Sequence, residues 1–231
     1  MKSSASTVAT PPLAAVVWRP GHRIVPSIFP PRGLFDGVAD PADLEAVFVL
    51  EALTNDRLRE QLGRLRRIPA ERRISGPGTT PVMSAFTHVH PDGGRFSTAR
   101  FGAYYAAREL PTAIAETVYH RERFLRASNE PPIDLQMRSY LGNIRADLHD
   151  LRGGGWAPLH DPDSYAASQA FAARLHGQGS EGIVFESVRR AGGQCVALYY
   201  PDLISPVKQG PHLLYRWDGA RIEAFVKAAE T

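Results

Sequence analysis

One stretch of helical period stands among runs that read as strands, and it restricts the folds open to this chain. Leu110, Ile114, Val118, Arg121 and Leu125 follow at spacings of three and four. Pro111 sits near the start, where its missing N–H costs nothing. Ile114 and Val118 mark the buried face. At ~100° per residue, Glu116 lies about 200° round from Ile114, and His120, four residues on, shares the face of Glu116. Downstream, NIRADLHDL (143–151) alternates Ile144, Ala146 and Leu148 with polar residues and predicts a strand with one wet face. GIVFES (182–187) and QCVALYY (194–200) read as strands joined by a VRRAGG turn. HLLYRW (212–217) and ARIEAFV (220–226) read as a terminal strand pair ending in a helical turn. Between them, Asp163 or Ser164 is expected to cap a helix through Leu175 that stops at Gly177 or Gly179.

The N-terminal part has a different texture. Residues 1–14 are small and polar and predict a disordered tail, leaving 15–231 as one domain. Pro20, Pro26, Pro30 and Pro31 forbid a helix and suit an irregular extended segment. Asp40-Pro41 is a helix start, with Leu44, Val47 and Phe48 at helical spacing. Thr54 opens a second helix carrying Leu58, Leu62 and Leu65, ended by Pro69. SGPGTTP (75–81) reads as a loop, VMSAFTHV (82–89) as a weakly alternating strand, and HPDGG (90–94) as a tight turn before a strand–loop–strand. Helices first, strands later and one central helix predict an α+β fold, not an alternating parallel one.

Bulk properties exclude several classes. The net charge of +3 does not demand a nucleic-acid partner. The single cysteine, Cys195, rules out an intramolecular disulfide and a Cys-rich zinc site, and suits a reducing cytoplasm. Cys195 lies in an apolar run and reads as a small buried hydrophobe. No apolar run is long enough to span a membrane. His88 and His90 share one side of a strand, as metal ligands would, but no third ligand accompanies them, so no metal is expected. Arginines 57, 59, 64, 66, 67, 72 and 73 crowd the insertion at 41–73. They read as a solvated face, or as a surface for an acidic protein or nucleic acid. The lack of interleaved aromatics counts against nucleic acid.

Chemistry concentrates between Gly93 and Leu125. Gly93-Gly94 lets the backbone approach a ligand, and the guanidinium of Arg95 can grip phosphate oxygens bidentately. Tyr105, Glu116 and His120 follow within the next two dozen or so residues. Ser187 ends an apolar strand. Taken singly, each is also an ordinary surface arginine, core tyrosine, solvated helix residue or strand-end hydroxyl.

Together, GGRFS, a tyrosine eleven residues before the glutamate, A-x-x-E-x-x-x-H, and a strand-ending S-V-R with a Cys-Val-Ala-Leu strand resemble the RES-domain family. These are toxins of bacterial toxin–antitoxin pairs, named for an Arg, a Glu and a Ser. The resemblance spans Arg95 to Pro206, and the Pro-rich start also looks like longer members. The Arg-rich helices near 41–73 are extra to compact members. It implies an ADP-ribosyltransferase-like fold, with two small, mainly antiparallel sheets forming an NAD⁺ cleft. It also implies roles in NAD⁺ binding and catalysis for Arg95, Tyr105, Glu116 and Ser187, with NAD⁺ as substrate and an Xre-type antitoxin whose segment blocks the cleft.

That chemistry suits the residues. Cleaving ribose from nicotinamide creates an oxocarbenium-like centre. The pyridinium leaves as a neutral molecule, so one carboxylate suffices. Glu116 would stabilise the developing charge, Arg95 hold the diphosphate, Tyr105 stack on nicotinamide or pack against its ribose, and Ser187 bind phosphate or ribose. His120 would orient Glu116 or activate the acceptor. The acceptor (water, phosphate or a target protein) stays open. So does a non-catalytic protein using the same cleft to bind a nucleotide or partner.

Overall fold

The computed structural model of the chain describes residues 9–27, 34–38, 40–52 and 64–226. The expected helix from Thr54, with Leu58, Leu62, Arg57 and Arg59, lies outside these residues. Seven strands form one sheet: β1 (Leu13–Pro26), β2 (Tyr104–Ala107), β3 (Ile133–Asp150), β4 (Gly182–Glu186), β5 (Gln194–Leu198), β6 (Lys208–Trp217) and β7 (Ile222–Val226). The order is β1-β2-β5-β4-β3-β6-β7, with β1 also pairing β3. All pairs are antiparallel except β3 with β4.

The α+β class is therefore observed, while the two expected sheets are joined into one. The joint is β3. Its first half pairs β6 along Ile133↔Trp217 to Leu141↔Lys208, and its second half pairs β1 down to Leu13↔His149 and β4 at His149↔Ile183. The alternation from Ile144 to Leu148 was legible, but the strand runs back to Ile133, through residues that carry no clear period.

The N-terminal segment corrects a second expectation. The stretch bearing Pro20 and Pro26 is a strand, and it starts at Leu13, inside the stretch expected as tail; Pro30 and Pro31 lie outside the described residues. Pro20 falls where the register shifts between Trp18 and Gly21, so its missing N–H interrupts no ladder bond, and Pro26 ends the strand. Gly21 sits tightly there: a Cβ would come within 2.6 Å of the Ile144 side-chain end, which would have to shift.

The helices are α1 (Leu34–Gly37), α2 (Leu44–Ala52), α3 (Thr80–Thr87), α4 (Leu110–Ala127) and α5 (Ala166–Gly177). Asp40 caps as expected, accepting from the Ala42 amide at 2.9 Å before a short 3-10 turn leads into α2. The expected strand at 82–89 is instead α3. Pro81 sits in its first turn, and Val82, Met83 and Phe86 form one buried helical face, a spacing that mimics alternation over so few residues. α5 has Tyr165 at its N-cap and no side-chain cap there; Ser164 Oγ accepts from the Ala166 amide at 3.4 Å, and Asp161 shapes the preceding turn by accepting from the amides of Asp163 (2.8 Å) and Ser164 (3.0 Å).

Strand alternation sorts the core into two faces. Tyr104, Ala106, Val184, Val196 and Leu198 pack towards Leu44, Leu65, Met83 and Phe86. Ala107, Ile183, Phe185, Cys195 and Ala197 pack towards α4 and α5. Leu44 and Leu65 are fully buried, each stabilising by about 1.5–3 kcal/mol, so the N-terminal helices belong to the core. Arg72 ties the insertion down by pairing with Asp202 at 2.7 Å, while Arg66 pairs with Glu45 inside it at 2.7 Å. None of the helices among the described residues is long and apolar enough to cross a membrane.

Candidate active site

The turn that delivers Arg95 is built from glycine. Gly93 has φ +70°, and a Cβ there would meet the Ser97 carbonyl oxygen at 2.3 Å. Gly94 lies so close to Tyr105 that a Cβ would be 2.7 Å from the phenol oxygen. Gln169 of α5 donates to the carbonyls of Asp92 (2.7 Å) and Gly94 (3.1 Å), fixing the turn from outside. Arg95 is buried. Its Nη1 donates to the carbonyls of Leu159 (3.3 Å) and Asp161 (2.6 Å), and its guanidinium sits 4.6 Å from the Tyr165 ring centre. Its Nη2 is buried with no partner. Desolvation lowers the Arg95 pKa, and Tyr165 and Glu116 partly offset this. A buried cation with one unspent donor fits an anionic ligand.

Tyr105 serves the same turn. Its hydroxyl accepts from the Phe96 amide at 2.9 Å and lies 3.1 Å from Ser97 Oγ. Burial pushes its pKa up to about 12, so it stays a neutral hydrogen-bonding phenol. The hydroxyl is thus committed to shaping the loop that holds Arg95.

Glu116, mid-way along α4, accepts a 2.6 Å hydrogen bond from Ser187 Oγ. Ser187 is buried just past the end of β4, and its Oγ accepts in turn from the amides of Arg189 (3.1 Å) and Arg190 (3.0 Å). The β4–β5 turn presses on α4 closely: a Cβ on Gly193 would sit 2.7 Å from Thr112. Arg190 clamps the same junction, donating to Glu109 and Thr112, each at 3.2 Å. In the chain by itself, Ser187 Oγ gives its proton to the Glu116 carboxylate.

His120 keeps a solvent-facing edge and packs edge-on to Tyr119, with centroids 5.4 Å apart. Partial desolvation, then Arg189, Arg123, Arg95 and Arg121, hold its pKa down to about 4, so the ring is neutral near pH 7. Arg189 lies over the Tyr119 ring at 3.3 Å and donates to the Pro162 carbonyl, as does the Tyr119 hydroxyl at 3.3 Å. Arg95 feels the charges of Glu116 and Arg189, and His120 feels those of Arg189 and Arg95, so these side chains lie near one another. Sequence reasoning missed Tyr165, Asp161 and Arg189. The first two lie in a loop without a motif; Arg189 stood in the S-V-R pattern with no role attached.

Cys195 is buried, and burial raises its thiol pKa, in keeping with a packing role. His88 bonds Thr87 Oγ1 at 3.2 Å. Among the described residues, no group of three or more His, Cys, Asp or Glu side chains could hold a metal ion.

The chain is similar to the uncharacterized protein y4oC of Sinorhizobium fredii, at 28% identity over 207 residues, spanning 87% of this chain and 84% of that protein. It also resembles, at 15% identity and a TM-score of 0.41, a chain in the crystal structure of the M. tuberculosis MbcT-MbcA toxin-antitoxin complex, over 56% of this chain and 74% of that one. The RES domain family model matches residues 64–218, which include Arg95, Tyr105, Glu116 and Ser187. The chain belongs to the RES-domain family.

Proposed function

We propose that this protein is an NAD⁺-consuming enzyme that breaks the bond between nicotinamide and ribose, acting as the toxin of a toxin–antitoxin pair. The observation that carries the reading is the pairing of a buried arginine with an unspent donor, Arg95, and a carboxylate oriented by a buried hydroxyl, Glu116 with Ser187 at 2.6 Å. Arg95 Nη2 would take a diphosphate oxygen. Glu116 would face the anomeric carbon of the ribose. As the C1′–N bond breaks, its electron pair passes to the pyridinium nitrogen. The positive charge left on the ribose is stabilised by the carboxylate. An acceptor oxygen then bonds C1′ and gives up its proton. His120, neutral at pH 7 and on the helix face of Glu116, is the candidate base for a water or hydroxyl acceptor.

A cognate antitoxin with an Xre-type DNA-binding part and a cleft-blocking segment is the expected partner. The arginine-bearing insertion beside the core offers a docking surface for a target protein, which keeps protein ADP-ribosylation open beside hydrolysis and phosphorolysis. The test is nicotinamide release from NAD⁺ by purified protein, with and without phosphate and with and without lysate. Release in buffer identifies a hydrolase, and dependence on phosphate a phosphorylase. Release only with lysate, with label moving onto a protein band, identifies a transferase. Glu116→Gln should abolish release while the protein stays folded. Wild-type release by that variant overturns the assignment.

A further inference from the structure

Two arginines from distant parts of the sequence reach one loop. Arg95 Nη1 donates to Asp161 O at 2.6 Å, and Arg189 Nη2 donates to Pro162 O. These carbonyls belong to neighbouring residues, whose Cα atoms lie about 3.8 Å apart, so the two guanidiniums are held close together. An aromatic ring fixes each one as well. Arg95 lies 4.6 Å from the Tyr165 ring centre, and Arg189 lies 3.3 Å from that of Tyr119. The Arg189 amide donates to Ser187 Oγ at 3.1 Å, and Ser187 in turn holds Glu116. Tyr119 lies about one turn along α4 from Glu116. The Arg189 side chain therefore runs from the Glu116 end of the site to the loop that holds Arg95.

The pair carries more donors than the chain uses. The side-chain hydrogen bonds of both arginines go to backbone carbonyls. Arg95 feels the charge of Glu116, and Asp161 that of Arg95. Yet among the described residues neither carboxylate bonds these guanidiniums: Glu116 accepts from Ser187, and Asp161 from the amides of its own turn. Arg95 Nη2 and Arg189 Nε are buried without a partner among the described residues. Buried donors of this kind are uncommon and point to an acceptor still to come. The two like charges also repel, and Arg189 helps to lower the Arg95 pKa. A bound anion would relieve both.

The form of that anion follows from the anchors. The arginine fork matches phosphate oxygens. Two forks anchored on neighbouring carbonyls match two phosphates joined to each other. We propose that Arg189 is the second arm of a diphosphate clamp, Arg95 taking one phosphate of a dinucleotide and Arg189 the other. The clamp rests on the NAD⁺ reading for its ligand, and it adds a reason for preferring a dinucleotide to a mononucleotide. Arg189 is half-buried, so a ligand can reach it from solvent.

The experiment is calorimetry of the full chain with ADP-ribose, ADP and AMP. Wild type should bind ADP and ADP-ribose about tenfold tighter than AMP. Arg189→Gln should weaken both about tenfold and leave AMP little changed, with circular dichroism confirming its fold. Arg189→Lys keeps the charge without the fork and should fall between the two. A purely structural role, through the Tyr119 and Pro162 contacts, would weaken all three ligands alike and overturn the clamp. So would failure of ADP and ADP-ribose to bind, AMP bound as tightly as ADP, or ADP affinity unchanged in Arg189→Gln. Nicotinamide release separates the clamp from the reading beneath it. Release by wild type with no preference for ADP over AMP removes the clamp alone. A preference for ADP that depends on Arg189, without release, keeps the clamp and removes the NAD⁺ reading.

Discussion

Ser187 Oγ donates a 2.6 Å hydrogen bond to Glu116, joining the end of β4 to the middle of α4 across 71 positions of sequence. Two amides of the following turn point at the same oxygen, so the hydroxyl proton is directed at the carboxylate. Ser187 is thereby a positioning residue for Glu116. Ser187→Ala removes a hydrogen bond to a charged group, worth about 1.5–3 kcal/mol. The expected loss is about 10- to 100-fold in kcat, with KM for NAD⁺ little changed, read by steady-state nicotinamide release. A rise in KM alone would make Ser187 a substrate-binding residue instead.

Arg95→Lys tests the anion site. An ammonium cannot hold the carbonyls of Leu159 and Asp161 and also present a second donor in a fixed plane. Binding of ADP-ribose, measured by calorimetry, should weaken about tenfold or more, and the melting temperature should fall. Unchanged affinity would remove Arg95 from the diphosphate.

Tyr105→Phe separates a stacking ring from a structural hydroxyl. The ring is kept, while the Phe96 amide loses its acceptor, at a cost of about 1–3 kcal/mol. Stability should fall by that amount in urea unfolding, and activity with it as the Arg95 turn loosens. Full activity with reduced stability would leave the ring as the functional part.

His120 gives a prediction in pH. Its pKa is held near 4 in the folded chain, against an ordinary 6.5. The unfolded chain therefore takes up this proton first as pH falls. The His120 contribution to stability is constant above about 6.5, declines between 6.5 and 4, and levels off below. A ring-proton NMR titration should show its midpoint near 4, and His120→Gln should remove that part of the acid slope. A midpoint near 6.5 would show that neither burial nor the surrounding arginines act on the ring.

What was legible in the sequence was whatever repeats or punctuates. The Pro111 helix, the alternation of 143–151 and the strand pairs around GIVFES and HLLYRW were found because burial on one face leaves a period. Pro20 misled because the sequence does not show that it falls at a break in register. VMSAFTHV misled because eight residues make barely two helical turns, too few to separate the two periods. At the candidate site, the RES-family pattern singled out Arg95, Tyr105, Glu116 and Ser187, which lie within the matched domain. It could not show that Ser187 faces Glu116 or that Tyr105 braces the Arg95 turn, since both depend on long-range packing.

The long strand β3 has a further consequence, in the order of assembly. β1 finds its main partner more than a hundred residues later, as in Leu13↔His149, and β4 docks beside β3 later still. Such distant pairings close slowly. A growing chain that has reached only α4 carries Glu116 but lacks Ser187 and the turn that seats it. The Ser187–Glu116 junction therefore comes into being late in synthesis, and on the proposed function a chain ending before β4 should release no nicotinamide.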